Sequence, residues 1–219
     1  MIQSYDVIPY EICRDFSMVD GHARIRIEQF FNGEANQWSK VHKEDWPTRV
    51  KNFPMDAYCQ NMGEYAINSF VSGPVKGPQE YDRFRTYMNA HPKESDGKTD
   101  VPGYQIDVKT SAMRADNKGF LEYTLIVPPG DKQPQYGEVT DKPENVFVLG
   151  LVKKGDLDTK KRRMVVYLIG WAWNHELDIM MGYGPFKNKF TKIARDIHPM
   201  TEFPYDSHWV KTYAPKEIR

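Results

Sequence analysis

From Met55 the apolar positions Met55, Tyr58, Cys59, Met62, Tyr65, Ala66 and Phe70 recur at steps of three and four, the period that gathers side chains on one face of an α-helix. The pattern predicts a helix to about Val71, stopped by Ser72-Gly73-Pro74. Glu64 lies off the apolar stripe, among Gln60, Asn61 and Asn68, so its carboxylate is expected to face something polar. Tyr81, Phe84, Arg85 and Met88 carry a second helical pattern over 79–89 before His91-Pro92. The period then shortens to two. In Tyr104-Gln105-Ile106-Asp107-Val108-Lys109 the apolar residues Tyr104, Ile106 and Val108 point one way and Gln105, Asp107 and Lys109 the other, as in a half-buried strand. The β-type runs Phe120–Val127, Val146–Val152 and Met164–Trp171 make with it a sheet of at least four strands. Asn174 is placed to cap a last helix through Met181, ended by Gly182. Residues 1–54 give mixed signals, an alternating Ala23–Ile27 stretch and breakers at Pro47 and Pro54, and read as an irregular arm packed on a domain of residues 55–219.

Length and composition narrow the class. At 219 residues and 25.6 kDa, the chain can bury a core as a single domain overall, with no help from disulfides. Hydrophobic residues are 40% and charged residues 27%, with a mean hydropathy of −0.69, which excludes a disordered chain. No run approaches the roughly 18 apolar residues of a spanning helix, and the N-terminus lacks the basic-then-apolar order of a secretory leader. A cytoplasmic location without membrane contact is the expectation. Cys13 and Cys59 show no CxxC spacing, so neither a disulfide framework nor a cysteine zinc site is indicated. Net charge is zero, but residues 151–219 carry +5 and residues 1–150 carry −5. An acidic half and a basic half suit a phosphodiesterase.

The candidate chemistry sits on the alternating strand. Residues two apart in a strand point the same way, about 6–7 Å apart at the backbone, so Asp107 and Lys109 stand side by side. Asp100 lies seven residues before Asp107, across a turn offered by Val101-Pro102-Gly103. If the chain doubles back there, the two carboxylates approach each other. Converging carboxylates hold hard divalent cations, and a neighbouring lysine positions or deprotonates an attacking water while offsetting negative charge. The plain alternative is an ordinary ion pair on a solvated strand face, worth little energetically.

Glu64 on a helix, then Asp100, then Ile106-Asp107-Val108-Lys109-Thr110-Ser111 resembles the PD-(D/E)xK nuclease superfamily, which is restriction-endonuclease-like and includes phage-type nucleases. The pattern covers about residues 60–175. The resemblance implies an α/β (α+β) fold, with a central mixed sheet flanked by helices. It implies that the helical Glu64 and the later Asp100 and Asp107 bind Mg²⁺ or Mn²⁺, with the Val108 carbonyl as a further ligand, and that Lys109 acts on the water. The family's proline before the first aspartate is replaced by Thr99. Asp100 is preferred to Asp96 as first acidic ligand because Asp96-Gly97 reads as a turn.

On this basis the expected activity is hydrolysis of nucleic acid, most naturally DNA by the family's habit. The expected protein is a small endonuclease or exonuclease of a phage or mobile element, homodimeric if it cuts both strands. Thr110, Ser111 and Arg114 are candidate phosphate contacts, as are Lys160, Lys161, Arg162 and Arg163 in a turn between two strands. The alternative for that turn is a charged hairpin tip that keeps the sheet edge soluble. Trp171 and Trp173 are read as core rather than base-stacking residues. No HExxH, GxSxG or GxxxxGK[ST] occurs, which argues against those hydrolase types. The competing class is a nucleic-acid- or protein-binding module on the same fold, without catalysis.

Overall fold

The structure, a computed structural model, describes residues 6–33, 46–92, 100–113, 119–127, 146–153, 155–179 and 190–205. Val146–Val152 (β4) is apolar at nearly every position and buried throughout, as a strand covered on both faces must be. It pairs in parallel with Ile106–Ala112 (β2) and antiparallel with Arg163–Trp173 (β6). Ile8–Ile12 (β1) pairs antiparallel with the far side of β6, and the two-residue strand Leu157–Asp158 (β5) also pairs with β6. The result is a five-stranded mixed sheet with the path β1-β6-β4-β2, in which β2 is one of the two end strands among the described residues. A smaller sheet joins Thr124–Val127 (β3), Asp178–Ile179 (β7) and Phe190–Ile193 (β8) in the order β3-β8-β7.

The fold is mixed α/β, and its layers differ from a sheet with helices on both sides. Ile106, Val108, Val146, Val148 and Val166 pack with the helices. Phe147, Leu149, Leu151 and Ile169 pack with Leu125 and Val127 of the small sheet. Helices therefore cover one face and the second sheet the other. Phe120–Glu122 forms a single 3-10 turn, so only the end of the expected Phe120–Val127 run is strand.

The amino-terminal residues are more regular than their sequence signals. Phe16–Phe31 (α1) is a helix that buries Phe16, Val19, His22, Ala23 and Phe30. Its apolar face is hidden in the sequence because His22 occupies one core position, held between Asp82 and Asn89 at 2.8 and 3.0 Å. The Ala23–Ile27 alternation is thus helical, and β1 is an end strand of the main sheet.

The second helix, Trp46–Ala90 (α2), begins before the expected Met55 and passes through Pro54. Its only non-helical residue is Gly73, at φ 85° and ψ 166°, a conformation open to glycine because it lacks a Cβ. There the helix turns back on itself. Asn61 meets Tyr81 at 2.9 Å, Glu64 meets Arg85, and a Cβ on Gly77 would lie 2.3 Å from the Asn68 carbonyl. Residues 46–72 and 74–90 are therefore two antiparallel arms in close backbone contact. The expected break at Ser72-Gly73-Pro74 exists, but it is a one-residue reversal rather than a loop.

After β6, the expected helix from Asn174 is a single 3-10 turn, Asn174–Glu176. The Glu176 carboxylate closes it by accepting the Trp173 N–H at 3.0 Å, and the chain passes directly into β7. The end of that expected helix falls outside the described residues. Trp171 is core, its Nε1 donating to the Pro199 carbonyl at 3.1 Å. No described helix is long and apolar enough to cross a membrane.

Candidate functional site

The site is built at the end strand β2. Gln105 accepts from Val146 of β4 and Met113 donates to Val152, so the odd-numbered residues of β2 turn their peptide groups towards β4. The even-numbered ones face the other edge. Along that edge the chain doubles back as the sequence implied. Tyr104 N–H reaches Val101 O at 3.1 Å, with Gly103 at φ 81°, and Asp100 N–H donates to Ile106 O at 2.9 Å. One Asp100 carboxylate oxygen then accepts the Val108 N–H at 2.7 Å. Because N–H and C=O of one strand residue point the same way, the Val108 carbonyl is directed to the same edge as Asp100.

Asp107 and Lys109 share one face of β2 and form an ion pair there. Asp107 is buried, while the Lys109 side chain keeps 25% of its exposure. Glu64 belongs to α2, which lies over the opposite face. It is fully buried and ion-paired with Arg85. Asp100, at the edge between the two faces, feels both. Burial raises its carboxyl well above the usual carboxylate range, and the charges of Asp107 and Glu64 raise it further, against the lowering effect of Lys109 and the Val108 N–H. Asn68 fastens the two elements, its amide donating to the Glu64 and Asp100 carbonyls, both at 2.8 Å.

The helix comes this close to β2 because of Gly63. A Cβ there would stand 1.8 Å from Thr110 Oγ1, and one on Gly150 would stand 2.7 Å from the same atom. Thr110 thus projects between two glycines with its hydroxyl enclosed. This corrects its expected role, because an enclosed hydroxyl under α2 has no route to a phosphate. Ser111 is exposed at the end of β2. Arg114 and Asp96 lie outside the described residues.

The basic turn lies elsewhere. The β2–β4 register puts Asp107 beside Phe147 and Ala112 beside Val152, and the turn follows β4. Five residues at about 3.3 Å each place it some 16 Å along the sheet from Asp107. Arg163 is paired with Glu11 at 2.6 Å, and Arg162 donates to Ser17 Oγ and lies over the Phe16 ring. Lys160 and Lys161 are exposed, their backbone N–H groups held by Asp158 at 3.1 and 3.0 Å. The residue that sequence reasoning missed is Arg85, which registered only as a member of a helical pattern. Nothing local marks it, since its partner is twenty-one residues away.

The donors at the edge are all oxygen, the chemistry of Mg²⁺ or Mn²⁺. Among the described residues no three of His, Cys, Asp and Glu are grouped so as to hold one ion. Mg²⁺ commonly takes one or two carboxylates and completes its shell with water. Asp100, Asp107 and the Val108 carbonyl fit that requirement. No family model matches the chain, and neither does any curated protein or solved structure.

Proposed function

We propose that this chain is a metal-dependent nuclease that hydrolyses phosphodiester bonds, with DNA as the substrate, on a restriction-endonuclease-like core. The observation that carries the reading is Asp100: a buried carboxyl opposed by Asp107 and Glu64, at the strand edge beside Lys109. Clustered buried carboxylates are costly unless a cation compensates them. Asp100, Asp107 and the Val108 carbonyl would hold the Mg²⁺ or Mn²⁺. The bound cation supplies charge neutralisation at phosphorus and a more acidic water. Lys109 would orient the attacking water and offset the negative charge that develops on the phosphoryl oxygens. Asp107 keeps the ammonium in place. The exposed Ser111 is free to contact a neighbouring phosphate, and Lys160 and Lys161 reach only parts of the substrate remote from the scissile bond.

The test is cleavage of single- and double-stranded DNA, branched DNA and RNA with Mg²⁺ or Mn²⁺. Cutting should be metal-dependent and fall at least about 100-fold in both Asp107→Ala and Lys109→Ala. Variants that cut as well as wild type would refute the assignment. A specific observation favours a second reading, a binding module without catalysis: Glu64 and Asp107 already have cationic partners in Arg85 and Lys109. Such a module would bind the same panel with no response to metal.

A further inference from the structure

Glu64 gives up both carboxylate oxygens to one partner. Arg85 Nε donates to Oε2 and Nη2 to Oε1, in a pair whose members are 4% and 0% exposed. Arg85 arrives on the returning arm of α2, brought near by the close approach at Gly77, and its guanidinium lies 5.0 Å from the Phe84 ring centre. A planar fork matched to a carboxylate is the strongest and most directional of ion pairs. Separating it would leave a buried charge without compensation. Lys109 makes a different contact with Asp107, as a partly exposed ammonium on a flexible stem that matches no planar fork. The site thus holds three carboxylates, of which Glu64 is the one locked by a buried guanidinium fork.

We propose that Arg85 is a positioning residue that keeps Glu64 out of the inner coordination sphere of the divalent cation. The protein ligands are then Asp100, Asp107 and the Val108 carbonyl, with Glu64 a fixed negative charge behind them. This inference rests on the metal-dependent reading above. It differs from the direct coordination by the helical glutamate that the sequence resemblance implies. With few carboxylates in the inner sphere, the cation keeps several waters and binds weakly until substrate phosphate joins it.

Europium(III) provides the test, because its luminescence decay in H₂O and D₂O counts coordinated waters. Full-length wild type and Glu64→Gln should hold the same number of waters, although Glu64→Gln binds the ion more weakly through lost charge. Arg85→Met should hold at least one water fewer, as the released Glu64 enters the sphere, and bind about tenfold more tightly. Each single variant leaves a buried charge unpaired, so the double variant Glu64→Gln/Arg85→Met guards against misfolding, and it too should match the wild-type water count. An extra water in Glu64→Gln or in the double variant would overturn the proposal, since Glu64 would then be an inner ligand already. An unchanged count in folded Arg85→Met would overturn it as well. Both outcomes leave metal binding itself intact. Failure of wild type to bind europium any better than Asp107→Ala would overturn the metal-dependent reading, and this inference with it.

Discussion

Gly63→Ala tests whether the helix–strand seam places the site. The new Cβ would meet Thr110 Oγ1 at 1.8 Å, Thr110 Cβ at 2.9 Å and Val108 Cγ2 at 3.4 Å. Thr110 cannot turn aside freely, because its hydroxyl and methyl already fill the space over Gly150. Either the threonine leaves its rotamer or α2 lifts from β2. Overpacking of this kind costs about 1–3 kcal/mol, and the better helix propensity of alanine returns about 0.5–1 kcal/mol. A contact as short as 1.8 Å takes the upper part of that cost, about 2–3 kcal/mol, and the net loss of about 1–2.5 kcal/mol corresponds to a fall of roughly 2–10 °C in Tm for a domain of this size. Gly21→Ala is the matched control, a helical glycine of α1 with nothing within 4 Å of its built Cβ. It should stabilise by about 0.5–1 kcal/mol. Thermal and urea unfolding of both variants, with Gly63→Ala/Thr110→Ala as partial rescue, decide the point. Equal stability of Gly63→Ala and Gly21→Ala would refute the close seam. Under the proposed function, lifting α2 by about 1 Å should also reduce cleavage about 100-fold.

Two further expectations follow from buried polar groups. Asp100 has a raised native pKa, so the stability it contributes is complete at low pH and is lost as pH rises through that raised value. Asp100→Asn keeps an acceptor for the Val108 N–H and removes the ionisation. Its Tm should therefore exceed that of wild type by a margin that widens from acid towards alkaline pH, and a constant margin would show that the carboxyl is not destabilising when ionised. Trp171→Phe removes the 3.1 Å bond to the Pro199 carbonyl and should cost about 1–2 kcal/mol in urea unfolding. No loss would mean that the indole–carbonyl bond adds nothing to the backbone pairing of Trp171 with His198.

The parts of the fold legible in the sequence are those set by local period. The alternation through Ile106–Lys109 places Asp107 and Lys109 on one face, and the turn at Val101–Gly103 returns Asp100 to the strand edge, because both features involve residues within eight positions of each other. Helical spacing likewise put Glu64 on a helix. Period alone left its surroundings open. Polar neighbours at Gln60, Asn61 and Asn68 resemble a solvated face, yet Asn61 and Asn68 are buried and bonded to Tyr81 and to the Asp100 carbonyl. A buried polar face and an exposed one share a sequence pattern, and only the reversal at Gly73 decides between them. Arg85 was unreadable for the same reason, since its pairing exists only once the two arms lie side by side.

The charge split between the two parts of the chain shows how counting along a sequence can mislead. It treats residues 1–150 and 151–219 as separate bodies, but β1 pairs with β6, so the first strand of the acidic part lies beside the last long strand of the basic part. Arg163 consequently meets Glu11, and Arg162 meets Ser17 and Phe16. Two of the four cations in the basic turn are thereby engaged in closing the sheet edge. Lys160 and Lys161 remain exposed to solvent at the opposite end of the sheet from Asp107. The local fields that matter are instead those of Lys109 and Arg85, both from the nominally acidic part and both beside carboxylates. Electrostatic complementarity to a polyanion therefore cannot be inferred from the two net charges. At the strand edge it depends on how each carboxylate is held by its own cation, by a partly exposed ammonium at Asp107 and by a buried fork at Glu64.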